Sequence, residues 1–354
     1  MTTLLGPAPA SPRLRALARE FDVEPGYLAA ATCGVAPRRA VDALQADQEL
    51  WRRGHADPHR YDGAVARTRA AFARLAGVPA DRVAIGSQTS SLVANIAASL
   101  PHGSEVLVAE GDFTSVVFPF LAAGLAVREA PLADLAAAVG PQTGLVVFSL
   151  VQSATGEVAD ADALSAAARA AGARTLVDLT QAAGVLPVDA SRFDATVCHA
   201  YKWLCAPRGV AFLTLDPGFA AGLRPVAAGW YAAEDPWQGI YGTTMDLALD
   251  ARRFDVSPAW QAFVGAEQSI RLFADADIDA LWRHACGLGD ALCRGLGIPE
   301  QHQAIVTFPD PDGSRLARLD AAGVRASGRA GRVRAAFHVW NDADDVDSVL
   351  AALA

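Results

Sequence analysis

From Arg82 to Leu215 the chain alternates between short runs rich in Val, Leu and Ala and alanine-rich stretches of helical composition. Few folds accommodate that order. The runs are Arg82–Ile85, Glu105–Ala109, Ala126–Glu129, Leu145–Leu150, Arg174–Asp178, Ala195–His199 and Val210–Leu215. Each has the length of a strand, with helix-favouring sequence before the next. Strands connected in this way lie mostly parallel and need helices on both faces. The expectation is therefore an α/β protein built on a seven-stranded, mostly parallel sheet. With 354 residues, 52% hydrophobic and 19% charged, the chain can bury a large core and still form a second, smaller domain. After Pro225 the pattern changes to a stretch containing Trp, Tyr and Pro, then to helices and a compact C-terminal portion. This predicts a large domain over 22–250 and a smaller α+β domain over 251–354. Residues 1–21, with Leu14, Leu17 and Phe21 at helical spacing, are expected to fold back onto the smaller one.

The formal charge of -9, with no basic run to offset it, argues against a nucleic-acid or membrane-surface partner and favours small-molecule chemistry. Met1 to Pro9 has neither the charged start nor the apolar run of a signal peptide, and no spanning segment follows. A cytoplasmic protein is expected. The five cysteines, Cys33, Cys198, Cys205, Cys286 and Cys293, show no Cys-x-x-Cys spacing, so free thiols are expected and no metal site. Cys198 and Cys205 flank Lys202, where small buried cysteines commonly serve as filler.

The chemistry concentrates in two places. Lys202 lies in Val197-Cys198-His199-Ala200-Tyr201-Lys202-Trp203-Leu204, past one apolar strand and ahead of the Pro207-Arg208-Gly209 turn. A buried lysine must lose its charge or find a partner, and condensation with an aldehyde cofactor puts the amine to work. Upstream, a short apolar strand delivers Asp178 to its carboxyl end, where open α/β sheets bind ligands. A carboxylate there can hold a pyridine nitrogen protonated, which keeps the ring an electron sink. Gln181 follows within the same turn.

Asp178 and Gln181 at a strand end, followed by the Tyr201-Lys202 pair, resemble the class V aminotransferase family of fold-type I pyridoxal-phosphate enzymes. That family includes cysteine desulfurases, kynureninase and isopenicillin N epimerase. The resemblance runs from about Tyr27 to the C-terminus and implies pyridoxal 5'-phosphate bound to Lys202. Gly86-Ser87-Gln88-Thr89-Ser90 joins a strand to an amphipathic stretch from Leu92 to Leu100, and resembles the family's phosphate-cradling turn. Backbone N–H groups and hydroxyls at a helix N-terminus suit a phosphate. Tyr201 and His199 match positions that reach the same phosphate, although His199 replaces the commoner serine and could equally be a hydrogen-bonded core histidine. Phe113 falls where the family stacks a flat side chain on the pyridine ring. The usual asparagine near the cofactor hydroxyl is replaced by Ser153 or by its neighbour Gln152.

Two further segments extend the resemblance. Arg253 to Pro258 resembles the stretch that crosses a dimer interface to the neighbouring phosphate, with Ser257 replacing the usual threonine, and implies a homodimer with shared active sites. Arg332 to Asn341 resembles the final strand, where an arginine grips the substrate carboxylate and an asparagine follows seven residues later. Arg334 and Asn341 fit that spacing, and Arg332 is the other possible clamp. A planar guanidinium holds a carboxylate in bidentate fashion and so orients the bonds at the α-carbon. His55 and Trp230 are expected near the substrate, the latter within an aromatic stretch that also holds Tyr231, Trp237 and Tyr241. The chain has no cysteine after Cys293, so the desulfurase persulfide mechanism is not expected. What the resemblance implies is an enzyme acting on an α-amino acid through a Lys202 aldimine and a quinonoid. An aminotransferase ranks first, with a carbon-sulfur β-lyase or an epimerase as alternatives. A non-catalytic protein on the same fold is disfavoured because Lys202, Asp178 and Arg334 are all present.

Overall fold

The computed structural model describes residues 11–354; the first ten residues of the expected N-terminal segment, with the Met1 to Pro9 stretch, lie outside them. The seven apolar runs form one sheet: β1 (Val83–Gly86), β2 (Glu105–Ala109), β3 (Ala126–Ala130), β4 (Thr143–Ser149), β5 (Arg174–Asp178), β6 (Ala195–His199) and β7 (Ala211–Leu215). Their spatial order is β1-β7-β6-β5-β4-β2-β3. β7 runs antiparallel to β1 and β6, and the other pairings are parallel. The α/β architecture expected from the alternation is the one observed.

Side-chain alternation explains why these runs become central strands. In β2, Val106 and Val108 enter one apolar cluster while Leu107 and Ala109 enter another. β4 divides in the same way, Leu145 and Val147 against Val146 and Phe148. A strand buried on both faces must be apolar throughout, which is why these runs lack a polar face. The Ala161–Ala171 helix between β4 and β5 shows the covering elements. Its first turn is capped by Asp160, which accepts from the Ala163 N–H at 3.0 Å, and it ends at Gly172 in the left-handed region.

Boundaries differ from expectation for local reasons. Arg82 belongs to a 3-10 turn, and Leu150 lies just beyond β4. The helix expected from Leu92 starts earlier, at Thr89, and stops at Ala97. Pro101 disfavours helical backbone at Leu100 and explains the early stop.

A smaller antiparallel sheet follows, β8 (Ile305–Pro309), β9 (Ser327–Arg329) and β10 (Arg332–Ala336), in the order β8-β10-β9. The chain before α-helical residue 38 ties it to the rest. Leu28 N–H donates to Arg325 O at 2.8 Å, and Ala336 N–H donates to Leu28 O at 2.9 Å. Phe21 packs its ring 5.1 Å from that of Trp340 and 6.3 Å from that of Phe273. On the other side, Gly156 meets β8 so closely that a Cβ there would lie 2.3 Å from the Ile305 carbonyl oxygen.

One buried ion pair locks β1 in place. Arg69, from the Pro58–Ala76 helix, donates to both oxygens of Asp255, at 3.1 and 2.6 Å, and also to the Val83 carbonyl. Asp255 accepts in addition from the Ile85 N–H at 2.8 Å. Losing one partner of a buried pair strands the other charge, so Arg69→Met should lower the unfolding free energy by about 3–5 kcal/mol. A urea titration followed by circular dichroism would read this as a fall in the midpoint.

Candidate active site

The carboxyl ends of β1, β2, β4, β5 and β6 share one edge of the large sheet, the edge at which such folds bind ligands. β6 there runs into a tight turn. Ala200 N–H donates to Val210 O, Cys205 N–H to Lys202 O and Ala206 N–H to Ala200 O, each at 3.0 Å. Cys205 takes a left-handed φ of 53°. Against this turn lies Gly34, whose N–H donates to Tyr201 O at 2.9 Å; a Cβ at Gly34 would fall 2.0 Å from the Lys202 carbonyl oxygen. Only glycine allows so close an approach. Trp203 is pinned from both sides. Its indole N–H donates to Gln181 Oε1 at 2.7 Å, and its carbonyl accepts from His338 Nε2 at 3.0 Å.

These contacts hold Lys202 in a cavity where it is only 5% exposed. Its Nζ lies 5.2 Å from the centre of the Phe113 ring and 5.8 Å from that of Tyr201. It forms no hydrogen bond or ion pair with any described residue. Burial drives its pKa down to about 8, with Asp178 opposing the fall and the charges of Arg334 and Arg329 adding to it. A neutral amine is thereby accessible near physiological pH.

Asp178 ends β5 beside Ser149 of β4 and Val197 of β6. Its carboxylate accepts from the Thr180 N–H at 2.8 Å. Burial raises its pKa to about 6 despite the Thr180 hydrogen bonds; Asp112 adds to the rise and Lys202 works against it. A cationic partner placed in the cavity would restore the charged form.

His199, the last residue of β6, has a buried Nε2 with no hydrogen-bond partner. Burial, then the charges of Arg208 and Lys202, lower its pKa to about 4, so the ring is neutral. Its ring meets that of Tyr201 edge-on at 4.5 Å, and Arg208 lies over the Tyr201 ring at 4.5 Å. Thr89 opens the Thr89–Ala97 helix, whose N-terminus has no side-chain cap. Unpaired N–H groups, a hydroxyl and an orphaned imidazole nitrogen suit a phosphate.

Arg334, on β10, is 1% exposed and reaches across to Ser153, beyond β4 of the large sheet. It donates to the Ser153 carbonyl, to Ser153 Oγ at 3.2 Å, to Thr32 Oγ1 at 2.7 Å and, through Nε, to Ser327 Oγ at 3.1 Å. All these partners are neutral, so a carboxylate would be its first counter-charge. Burial, then Arg329, lower its pKa to about 10. Arg332 turns elsewhere, donating to Thr307 Oγ1 at 3.1 Å and to Thr307 O at 3.0 Å. Asn341 is taken up by Tyr27 O, Asp345 and the His338 N–H.

The cavity around Lys202 thus gathers Thr89, Phe113, Ser153, Asp178, Gln181, His199 and Tyr201 from the residues expected on sequence grounds. Ser153 accepts from both Gln181 Nε2, at 3.1 Å, and Arg334, whereas Gln152 turns toward Asp112. Ser87, Gln88 and Ser90 surround the helix start without lining the cavity, Ser257, His55 and Trp230 do not line it either, and Arg334 meets only its wall, at Ser153. Ser257 and His55 are exposed. Trp230 packs on Tyr231 and Trp237, which both hydrogen-bond to Asp62. Sequence reasoning passed over Ser115, Ser149 and Thr180, which line the cavity from within motifs already noticed. Thr32 had no local signal at all, since its contact with Arg334 spans 302 residues.

Comparison with known proteins agrees with this geometry. Residues 27–326 match the family described as Aminotransferase class-V. The isopenicillin N epimerase of Streptomyces clavuligerus is 34% identical over 192 residues, 49% of this chain and 48% of that one, so the chain spans about half the length of that relative. The kynureninase of Deinococcus radiodurans is 31% identical over 303 residues, 78% of this chain and 72% of that one. Among solved structures, the cystine C-S lyase C-DES in complex with cysteine persulfide superposes with a TM-score of 0.82. It does so at 22% identity over 94% of this chain and 97% of that one, a likeness of fold. With a buried lysine and aspartate at the expected strand ends, and a family match over most of its length, the chain belongs to the class-V aminotransferase family.

Proposed function

We propose that this chain is a pyridoxal-phosphate-dependent enzyme acting on an α-amino acid, and that its reaction is transamination. The observation that carries the reading is the Lys202 amine, buried and without a hydrogen-bond partner in the cavity it shares with Asp178. Bound pyridoxal phosphate supplies a ring that withdraws electrons from the substrate's α-carbon. The chain's own residues divide the remaining tasks. Asp178 is suited to hold a proton on the pyridine nitrogen, and Phe113 to cover one face of the ring. Thr89, His199 and Tyr201 are placed for the phosphate, with Arg208 behind Tyr201. Arg334 is the clamp for the α-carboxylate, and the neutral Lys202 amine moves the proton at the α-carbon.

A homodimer belongs to the same proposal. Ser257, exposed on the single chain, would reach the partner's phosphate. Exposed Phe118, Leu121, Tyr241, Met245 and Leu249 supply apolar surface for the contact. Among the described residues no helix is long and apolar enough to cross a membrane.

Transamination is preferred because it asks for no group beyond these. Purified protein should carry pyridoxal phosphate, and challenge with L-amino acids in the absence of any keto acid should convert it to pyridoxamine phosphate, identified by mass. Accumulation of pyruvate and ammonia with the cofactor unchanged would instead establish β-elimination, and inversion at the α-carbon without either would establish epimerisation. Lys202→Ala should keep the fold and lower turnover at least about 100-fold.

The protonation state of Lys202 gives an independent check. Only the neutral amine reacts with acylating reagents, so labelling of Lys202 in cofactor-free protein should rise with pH through about 8 and level off above it. Peptide mass spectrometry would follow the modification. Asp178→Asn removes a charge that favours the ammonium and should move the midpoint down. Arg334→Gln removes a charge that opposes it and should move the midpoint up.

A further inference from the structure

The strand pair that carries Arg334 has an unusual charge pattern. In the β9–β10 register, Ser327 stands opposite Arg334 and Arg329 stands opposite Arg332. Residues paired across strands share a face, so three arginines lie on one face of this small sheet. Like charges placed directly opposite each other destabilise a sheet unless something neutralises them. Among the described residues no carboxylate does so. Arg332 is satisfied by Thr307 and Arg334 by Ser153, Thr32 and Ser327, while the Arg329 side chain hydrogen-bonds, among the described residues, only to the carbonyl of Gly328, at 2.6 Å. The chain has 39 acidic residues against 30 basic ones, so this local excess runs against its overall balance.

Position links the excess to the site. Ser153 forms part of the cavity wall, Arg334 bonds to Ser153, and Ser327 Oγ accepts from Arg334 Nε. Arg329 lies two residues beyond Ser327 on the same face, roughly 7 Å along the strand. It is exposed, whereas Arg334 is buried. Arg334 and Arg329 therefore place a deep and a shallow guanidinium on one face of the small sheet.

We propose that Arg329 is a second anion subsite at the entrance to the Lys202 cavity, and that the substrate is an amino acid whose side chain carries a second acidic group. This rests on the reading of the site as an amino-acid site in which Arg334 holds the α-carboxylate. The Arg329 charge also contributes to the lowered pKa of both Lys202 and Arg334, so an anion bound there would ease a repulsion already present. A guanidinium free of protein carboxylates offers its donor fork to an incoming one.

Calorimetric titration of the protein, after incubation with pyridoxal phosphate, with glutarate and with butyrate tests the idea, because the two differ in the second carboxylate. Glutarate should bind at least about tenfold more tightly. Arg329→Gln should abolish that advantage and leave butyrate binding unchanged, while Arg325→Gln, an exposed arginine outside the strand pair, should preserve it. No advantage for glutarate in the natural protein, or an advantage that survives Arg329→Gln, would overturn the proposal. A third ligand, 3-phosphonopropionate, distinguishes the acidic groups. Binding tighter than succinate assigns a phosphonate-like or phosphate side chain to the subsite, and weaker binding assigns a carboxylate. Cofactor loading is measured separately by absorbance. Protein that discriminates glutarate through Arg329 yet takes up no pyridoxal phosphate would refute the enzymatic reading and leave the anion subsite standing.

Discussion

The cost of burying the Lys202 ammonium governs the site. An amine placed in a cavity without an ion pair cannot keep its ordinary affinity for a proton, and its pKa falls to about 8. The same burial raises Asp178 to about 6. Lysine and aspartate are both drawn toward neutrality, which leaves two groups whose charge a ligand can restore or exchange. A protein built only for stability would have paired them or replaced them with apolar side chains. Their survival as unpaired groups in one cavity is what distinguishes this site from a structural ion pair such as Arg69–Asp255, in which each charge directly hydrogen-bonds the other.

Holding that unpaired lysine in place requires contacts from both sheets. Trp203 is the joint. Gln181, from the large sheet's edge, fixes its indole, and His338, beyond the small sheet, fixes its carbonyl. His338 accepts from the Val339 N–H through Nδ1, and its neutral ring then has Nε2–H free to donate. Gly34 completes the support by bringing the segment ahead of residue 38 against the Lys202 backbone. Disturbing the small sheet therefore reaches the lysine without touching it, and Arg334, which crosses from β10 to Ser153, ties the small sheet to the cavity wall.

Much of this was legible from local sequence. The strand runs were visible because a doubly covered sheet demands unbroken apolar residues, and all seven strands appear within a few residues of their expected bounds. Lys202 and Asp178 were legible because strand ends of such a sheet converge on one edge, and Gln181, His199 and Tyr201 through the resemblance their positions carry. The spacing to Asn341 favours Arg334, but strand alternation puts Arg332 on the same face and keeps it as an alternative. In the structure the two take different partners, Thr307 for Arg332 and Ser153 for Arg334. Thr32 and Gly34 carried no signal, because their roles arise from contacts with residues far along the chain.

By itself, then, the sequence determined the fold class and the order of the strands along the chain, and, through residue chemistry and the resemblance it carries, singled out the groups at the strand ends. Those follow from local properties. Only the tertiary structure decided which partners Arg332 and Arg334 take, that His199 Nε2 is left without a partner among the described residues, and that Arg329 stands opposite Arg332. Those depend on burial and on the distances between charges, and both are set by how the two sheets pack rather than by any stretch of residues.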